Sequence, residues 1–221
     1  MSKRFVISVF VLALCLCGVS AQAFEMAKKE FSADQYTRFA DGSVETSRLY
    51  VGDGVMRMEE PEAVVIVRPD LNKTWIIDPA EKAYYEMPFD PEDFDDSMVG
   101  DVGEEEKVEL GRERLNGYEC TKYRVTVDLG GGENVFGDVD QATLDAMPPE
   151  IRAEMEKAMA EMSGEQVSTV WEADELGVPI RSEDQDGSFE ELRNIQEGSQ
   201  PSSLFELPSG LTKRAMPAMA Q

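Results

Sequence analysis

Turn signals constrain this chain more than any other feature. Asp41-Gly42, Asp53-Gly54, Asp78-Pro79, Asn116-Gly117 and Asp186-Gly187 each interrupt runs rich in β-branched and aromatic residues. Such dipeptides favour the tight turns of antiparallel hairpins. They separate strand-like runs at 31–39, 44–51, 55–59, 63–67, 73–77, 83–87, 108–115, 118–129, 166–173, 178–183 and 188–195. Turns recurring every 8 to 12 residues or so predict a meander of short antiparallel strands. In the run 118–129, Thr121, Tyr123, Val125 and Val127 alternate with Cys120, Lys122, Arg124 and Thr126. That period of two predicts one apolar and one wetted face.

Two segments depart from this pattern. Residues 88–106 are crowded with acids, from Asp90 to Glu106. Their spacing lacks the alternating acids and central glycine of a calcium loop, so a solvated loop is expected. Around 140–163, Leu144, Met147, Ile151, Met155, Met159 and Met162 recur at three- and four-residue steps, opposite Glu150, Arg152, Glu154, Glu156 and Lys157. This spacing predicts an amphipathic helix with a methionine stripe, capped at Asp140 or Thr143 and ended by Ser163-Gly164. The expected fold is mainly β with one or two helices (α+β): an unclosed antiparallel β-barrel, or half-barrel, with a helical lid.

The N-terminus reads as an export signal. Lys3 and Arg4 precede an apolar run over 5–19, and Ala21-Gln22-Ala23 supplies small residues where a signal peptidase reads. The apolar run is about 15 residues, short of the roughly 20 that span a bilayer as a helix. Leu14 and Leu16 precede Cys15 and Cys17, where a lipidated cysteine would follow a small residue. Cleavage after Ala23 is therefore expected, giving a periplasmic or secreted protein with no stable membrane span. One domain is expected over 24–212, with a flexible tail at 213–221. Cys120 is then the one remaining cysteine and forms no internal disulfide.

Losing Lys3 and Arg4 leaves 19 basic against 45 acidic residues, a net charge of about −26. Nucleic acid and anionic membrane surfaces repel such a chain, whereas a cationic envelope protein would suit it. There is no histidine. That excludes serine–histidine and cysteine–histidine nucleophilic sites and makes ordinary zinc or copper sites unexpected. Gly130-Gly131-Gly132 lacks the Lys-Ser/Thr of a phosphate loop. The paired acids Asp95-Asp96 and Glu190-Glu191 are the remaining candidates for catalysis, but neighbours on a strand point to opposite faces. No enzyme, no metal and no cofactor are expected.

A large sheet partly covered by one helix leaves room for an apolar cavity. The candidate wall is Trp75, Ile77, Tyr84, Met87, Tyr123, Val125 and Trp171. The candidate lid is Met147, Ile151, Met155, Met159 and Met162, since methionine adapts to varied apolar shapes. The bland alternative is that sheet and helix pack shut.

Several stretches resemble the periplasmic outer-membrane lipoprotein-sorting (LolA-like) superfamily. They are the Asp41-Gly42 hairpin, Met56-Arg57-Met58, Val64-Val65-Ile66-Val67, Lys73-Thr74-Trp75-Ile76-Ile77-Asp78-Pro79 and Phe205-Glu206-Leu207-Pro208-Ser209-Gly210. The resemblance implies an unclosed barrel around helices whose cavity holds acyl chains. It also implies an early-strand arginine that ties the lid down, for which Arg57 and Arg68 both qualify. The expected function is a non-catalytic periplasmic binder or carrier of lipid or of lipoprotein acyl chains. The alternative is a protein-interaction or envelope-sensor module with a closed core and an acidic docking surface.

Overall fold

The computed structural model describes residues 27–89, 106–128 and 165–215. The first stretch holds six strands: β1 (Phe31–Arg38), β2 (Val44–Gly52), β3 (Val55–Glu59), β4 (Val64–Arg68), β5 (Lys73–Asp78) and β6 (Ala83–Pro88). The others hold β7 (Glu106–Leu115), β8 (Tyr118–Asp128), β9 (Glu165–Ala173), β10 (Val178–Asp184), β11 (Phe189–Glu197) and β12 (Thr212–Arg214). They form one open sheet in the order β12-β6-β5-β4-β3-β2-β1-β11-β10-β9-β8-β7. Two meanders, β1–β6 and β7–β11, are joined by antiparallel pairing of β1 with β11. Every neighbour pair is antiparallel except β12–β6.

This corrects the expected fold class. Among the described residues there is no α-helix, only 3₁₀ turns at Pro69–Leu71 and Ser202–Phe205. The described fold is therefore all-β, a 12-stranded open sheet without a helical lid. The expected helix at 140–163, with Met147, Ile151, Met155, Met159 and Met162, lies outside the described residues, as do the leader and 90–105 of the acidic stretch. Lys213 and Arg214, expected in a flexible tail, belong to β12.

Local chemistry explains the hairpins. The same tripeptide, Asp-Gly-Ser, turns β1 into β2 and β10 into β11. Asp41 Oδ1 accepts from the Ser43 backbone N–H at 2.8 Å, and Asp186 Oδ1 accepts from that of Ser188 at 2.8 Å. Each aspartate thereby satisfies a donor that the tight turn leaves free. At Asn116-Gly117 both residues have positive φ (52° and 93°), as a type I′ hairpin requires.

The register places Ala33, Leu49, Met58, Val65, Ile76 and Tyr85 in one row across six strands, all buried. They belong to a core cluster that continues through Phe31, Val51, Met56 and Leu192 to Cys120, Trp171, Val178 and Ile180. The opposite face of β2–β6 carries Tyr50, Arg57, Ile66, Trp75 and Glu86 in register.

Cys120 is fully buried, its Sγ 3.5 Å from the Tyr118 carbonyl. Burial raises its pKa to about 11, with the charges of Asp174, Glu113 and Glu119 adding to the shift. The thiolate is the reactive form. The folded protein is therefore expected to resist a disulfide reagent at pH 8 and to react stoichiometrically once unfolded in guanidinium. Fast labelling of the native protein would contradict this packing.

Candidate functional site

On the face opposite the main core, β2–β6 form an apolar groove. Ile66, Trp75 and Ile77 are its floor, with Tyr50, Val55, Val64 and Tyr84 at its sides. After β11 the chain returns across this groove as a strap, residues 199–214. Its 3₁₀ turn Ser202–Phe205 brings Leu204 and Phe205 onto the floor, and Leu207 and Leu211 follow. Phe205 is buried.

Bare backbone at Gly52 makes room for that ring. A Cβ there would sit 2.9 Å from Phe205 Cε2 and 2.8 Å from Val55 Cγ2, closer than side chains tolerate.

Two arginines hold the strap. Arg57 Nη1 donates to the Leu204 carbonyl at 3.0 Å, and Arg68 Nη1 donates to the Phe205 carbonyl at 3.0 Å. Each is aimed by an acid two residues on. Glu59 takes Arg57 Nε at 2.8 Å, and Asp70 receives Arg68 Nε and Nη2 at 2.7 and 2.6 Å. The resemblance implies one tying arginine. Both candidates tie, and what they tie is the C-terminal strap.

The strap's far end is held by charge. Glu86 accepts from Lys213 Nζ at 2.8 Å and from Trp75 Nε1 at 3.1 Å, and Arg214 pairs with Glu81. The Lys213 and Trp75 hydrogen bonds, in that order, lower the Glu86 carboxyl to about 2.

The expected cavity wall is split by the register. Trp75, Ile77 and Tyr84 do come together, but under the strap. Met87 packs against the main core instead. Tyr123 pairs with Val170 and Val125 with Ser168, so both point away from the face that carries Trp171. Tyr123 receives Lys107 Nζ 4.2 Å from its ring centre. Trp171 lies among charges: Lys122 and Arg181 sit over its ring at 4.5 and 5.4 Å, and its Nε1 donates to Glu113. Sequence reasoning misses Tyr50, Gly52, Ile66 and Phe205. The available signal is Phe205-Glu206-Leu207-Pro208-Ser209-Gly210, one of the stretches that carry the resemblance.

Two open concavities flank these features. One of about 590 Å³ is lined by Ala27, Lys28, Lys29, Gly52, Asp53 and Pro69, at the Gly52 end of the groove. Another of about 260 Å³ lies beside Trp171, among Lys122, Thr169, Glu183 and Asp184.

The fold is shared with an uncharacterized conserved protein from Thermus thermophilus: TM-score 0.50 at 9% identity, over 90% of this chain and 97% of that one. Weaker likeness extends to the Pseudomonas aeruginosa MucA/MucB complex (TM-score 0.46, 13% identity, 90% of this chain and 62% of that one). This chain thus spans less than two thirds of that chain's length. LprF from Mycobacterium bovis gives a TM-score of 0.36 at 13% identity, over 90% of this chain and 97% of that one. No curated protein sequence matches the chain. The family described as "Domain of unknown function (DUF4412)" matches residues 25–211, nearly the whole of the expected mature protein, and the chain belongs to that family.

Proposed function

We propose that this protein is an exported, non-catalytic binder of apolar ligands, lipid or the acyl chain of a lipoprotein, and that the strapped groove is where it binds them. The strap itself carries the reading. The groove over Trp75 and Ile77 is closed by a segment of the chain's own end, fixed by two arginine bonds to carbonyls and a three-residue strand. Such a segment can lift without breaking the twelve-stranded pairing except at β12. Phe205, Leu204 and Leu207 then stand in for the ligand they exclude. Burial at roughly 25 cal/mol per Å² of apolar surface favours an acyl chain entering the vacated groove. The apparent leader and the resemblance to the lipoprotein-sorting superfamily support a periplasmic setting for this exchange.

Native mass spectrometry of protein purified from the periplasm tests the reading. A co-purifying mass in the lipid range is expected, released on unfolding and lost in Trp75→Glu. A clean apo mass, with no uptake of a fluorescent fatty acid, overturns the carrier and points to a protein partner.

A further inference from the structure

We propose that the far end of the main-core face binds one hard cation of the calcium class, in a small cleft between β1, β2, β11 and the turn after β3. The proposal does not depend on the strapped groove. Across three neighbouring strands the register sets Glu45 beside Thr37 and Thr37 beside Glu190. The next rung is Ser47 beside Gln35. Glu60, just past β3, faces the same cleft, whose volume is about 20 Å³. That is room for one water-sized occupant.

The second observation comes from Gln35. Its side chain is almost wholly buried, and Nε2 donates to Glu190 Oε1 at 3.3 Å. The amide oxygen is therefore turned away from that carboxylate, and it has no hydrogen-bond partner among the described residues. A buried amide oxygen without a partner costs roughly 1–3 kcal/mol, so such atoms normally mark a missing donor or ion. The cleft's lining supplies oxygens from Glu45, Glu60, Glu190, Thr37 and Ser47, and the apolar Phe39, Met58 and Pro61 complete its walls. A set of hard oxygens supplied mostly by acceptors is what calcium coordinates.

Two of the carboxylates also lack a counter-charge. Among the described residues neither Glu45 nor Glu60 makes an ion pair with a basic side chain, and the two glutamates repel one another. As they stand, no three acids converge at metal distance among the described residues. The ligand set is accordingly the neutral oxygens of Gln35, Thr37 and Ser47 with one or two glutamates, whose long side chains close on the ion.

Thermal unfolding with calcium, magnesium or chelator at constant ionic strength tests this. Wild type is expected to rise by about 5 °C at roughly 10 mM calcium, half-saturating near ~0.1–1 mM as weak calcium modules do, and to rise less with magnesium. Glu60→Gln removes the like charge, so it should melt higher than wild type in chelator and lose the calcium increment. Gln35→Leu should likewise lose the increment. An increment equal for calcium and magnesium, or one that survives both substitutions, is general screening of an acidic protein and overturns the site.

Discussion

Replacing Glu191 with alanine is expected to lower the thermal midpoint by roughly 5–10 °C at pH 7. Glu191 lies on β11 with its side chain 8% exposed. Arg181 Nη1 approaches Oε2 at 2.7 Å, and Arg193 Nε approaches Oε1 at 3.1 Å. Asn116, at the tip of the β7–β8 hairpin, donates Nδ2 to Oε1 at 3.0 Å and to the Leu192 carbonyl at 2.9 Å. One carboxylate thus ties β11 to β10 and pins the tip of the β7–β8 hairpin, which reaches across from the sheet's edge. Removing a buried partner of a charge pair costs about 3–5 kcal/mol. Here both arginines are partly solvated and keep their stacking over Phe189 and Tyr36, so about 2–3 kcal/mol remains. Each kcal/mol moves the midpoint by roughly 2–4 °C in a chain of this size. Glu191→Gln still accepts hydrogen bonds and should lose about half as much.

The pH dependence carries a sign. Burial raises the Glu191 carboxyl, but the hydrogen bonds from Arg193 and Asn116 and the charges of both arginines outweigh it, so the folded value lies below the ordinary one. A depressed folded pKa contributes stability above the unfolded value, near ~4.3, and loses it as pH falls through the folded value. The gap between wild type and Glu191→Ala should therefore be full at pH 7 and shrink in acid. Equal midpoints at pH 7 would mean the node holds nothing.

The hairpins were legible because their causes are local. Asp-Gly-Ser and Asn-Gly dictate backbone conformation within four residues, and the strands beside them follow. The β1–β11 pairing was not legible, because it joins residues about 160 apart in sequence and no turn specifies it. The faces failed for a different reason. In Thr74-Trp75-Ile76-Ile77 both faces are apolar, so the period of two gives no polarity. Which side faces the main core depends on the neighbours: Ile76 joins the row of Val65 and Met58, leaving Trp75 and Ile77 for the strap. Grouping Trp171 with Tyr123 failed because Tyr123 pairs with Val170, which turns the next residue, Trp171, to the other side. Cys120 alternates with the face expected to be apolar, but as a small apolar side chain beside Ala173 it is buried, as a lone structural cysteine on a strand is expected to be.

Gly52→Val should expel Phe205 and open the groove. Gly52 is not among the glycines with positive φ, so its backbone accepts a side chain and the effect is purely one of space. The first added atom already meets Phe205 Cε2 at 2.9 Å and Val55 Cγ2 at 2.8 Å. Valine adds two more carbons. Val55 is anchored in β3 across from Gly52, whereas Phe205 hangs from a 3₁₀ turn, so the ring yields. Its departure takes Leu204 with it and breaks the Arg57 and Arg68 bonds to the strap. Overpacking of this kind costs about 1–3 kcal/mol. An equilibrium that hides the groove lowers apparent affinity by the open fraction, so undoing it should tighten fatty-acid binding about 10- to 100-fold. In a Trp171→Phe background, Trp75 emission should shift to the red as its ring meets water, and added fatty acid should shift it back. Phe205→Ala separates the two consequences: it vacates the floor without a clash at Gly52 and should tighten binding in the same direction. If Gly52→Val melts lower and exposes Trp75 yet binds no fatty acid, the strap is a structural closure and the ligand-binding role of the groove fails. If emission and midpoint both stay unchanged, Phe205 does not rest on Gly52 in solution.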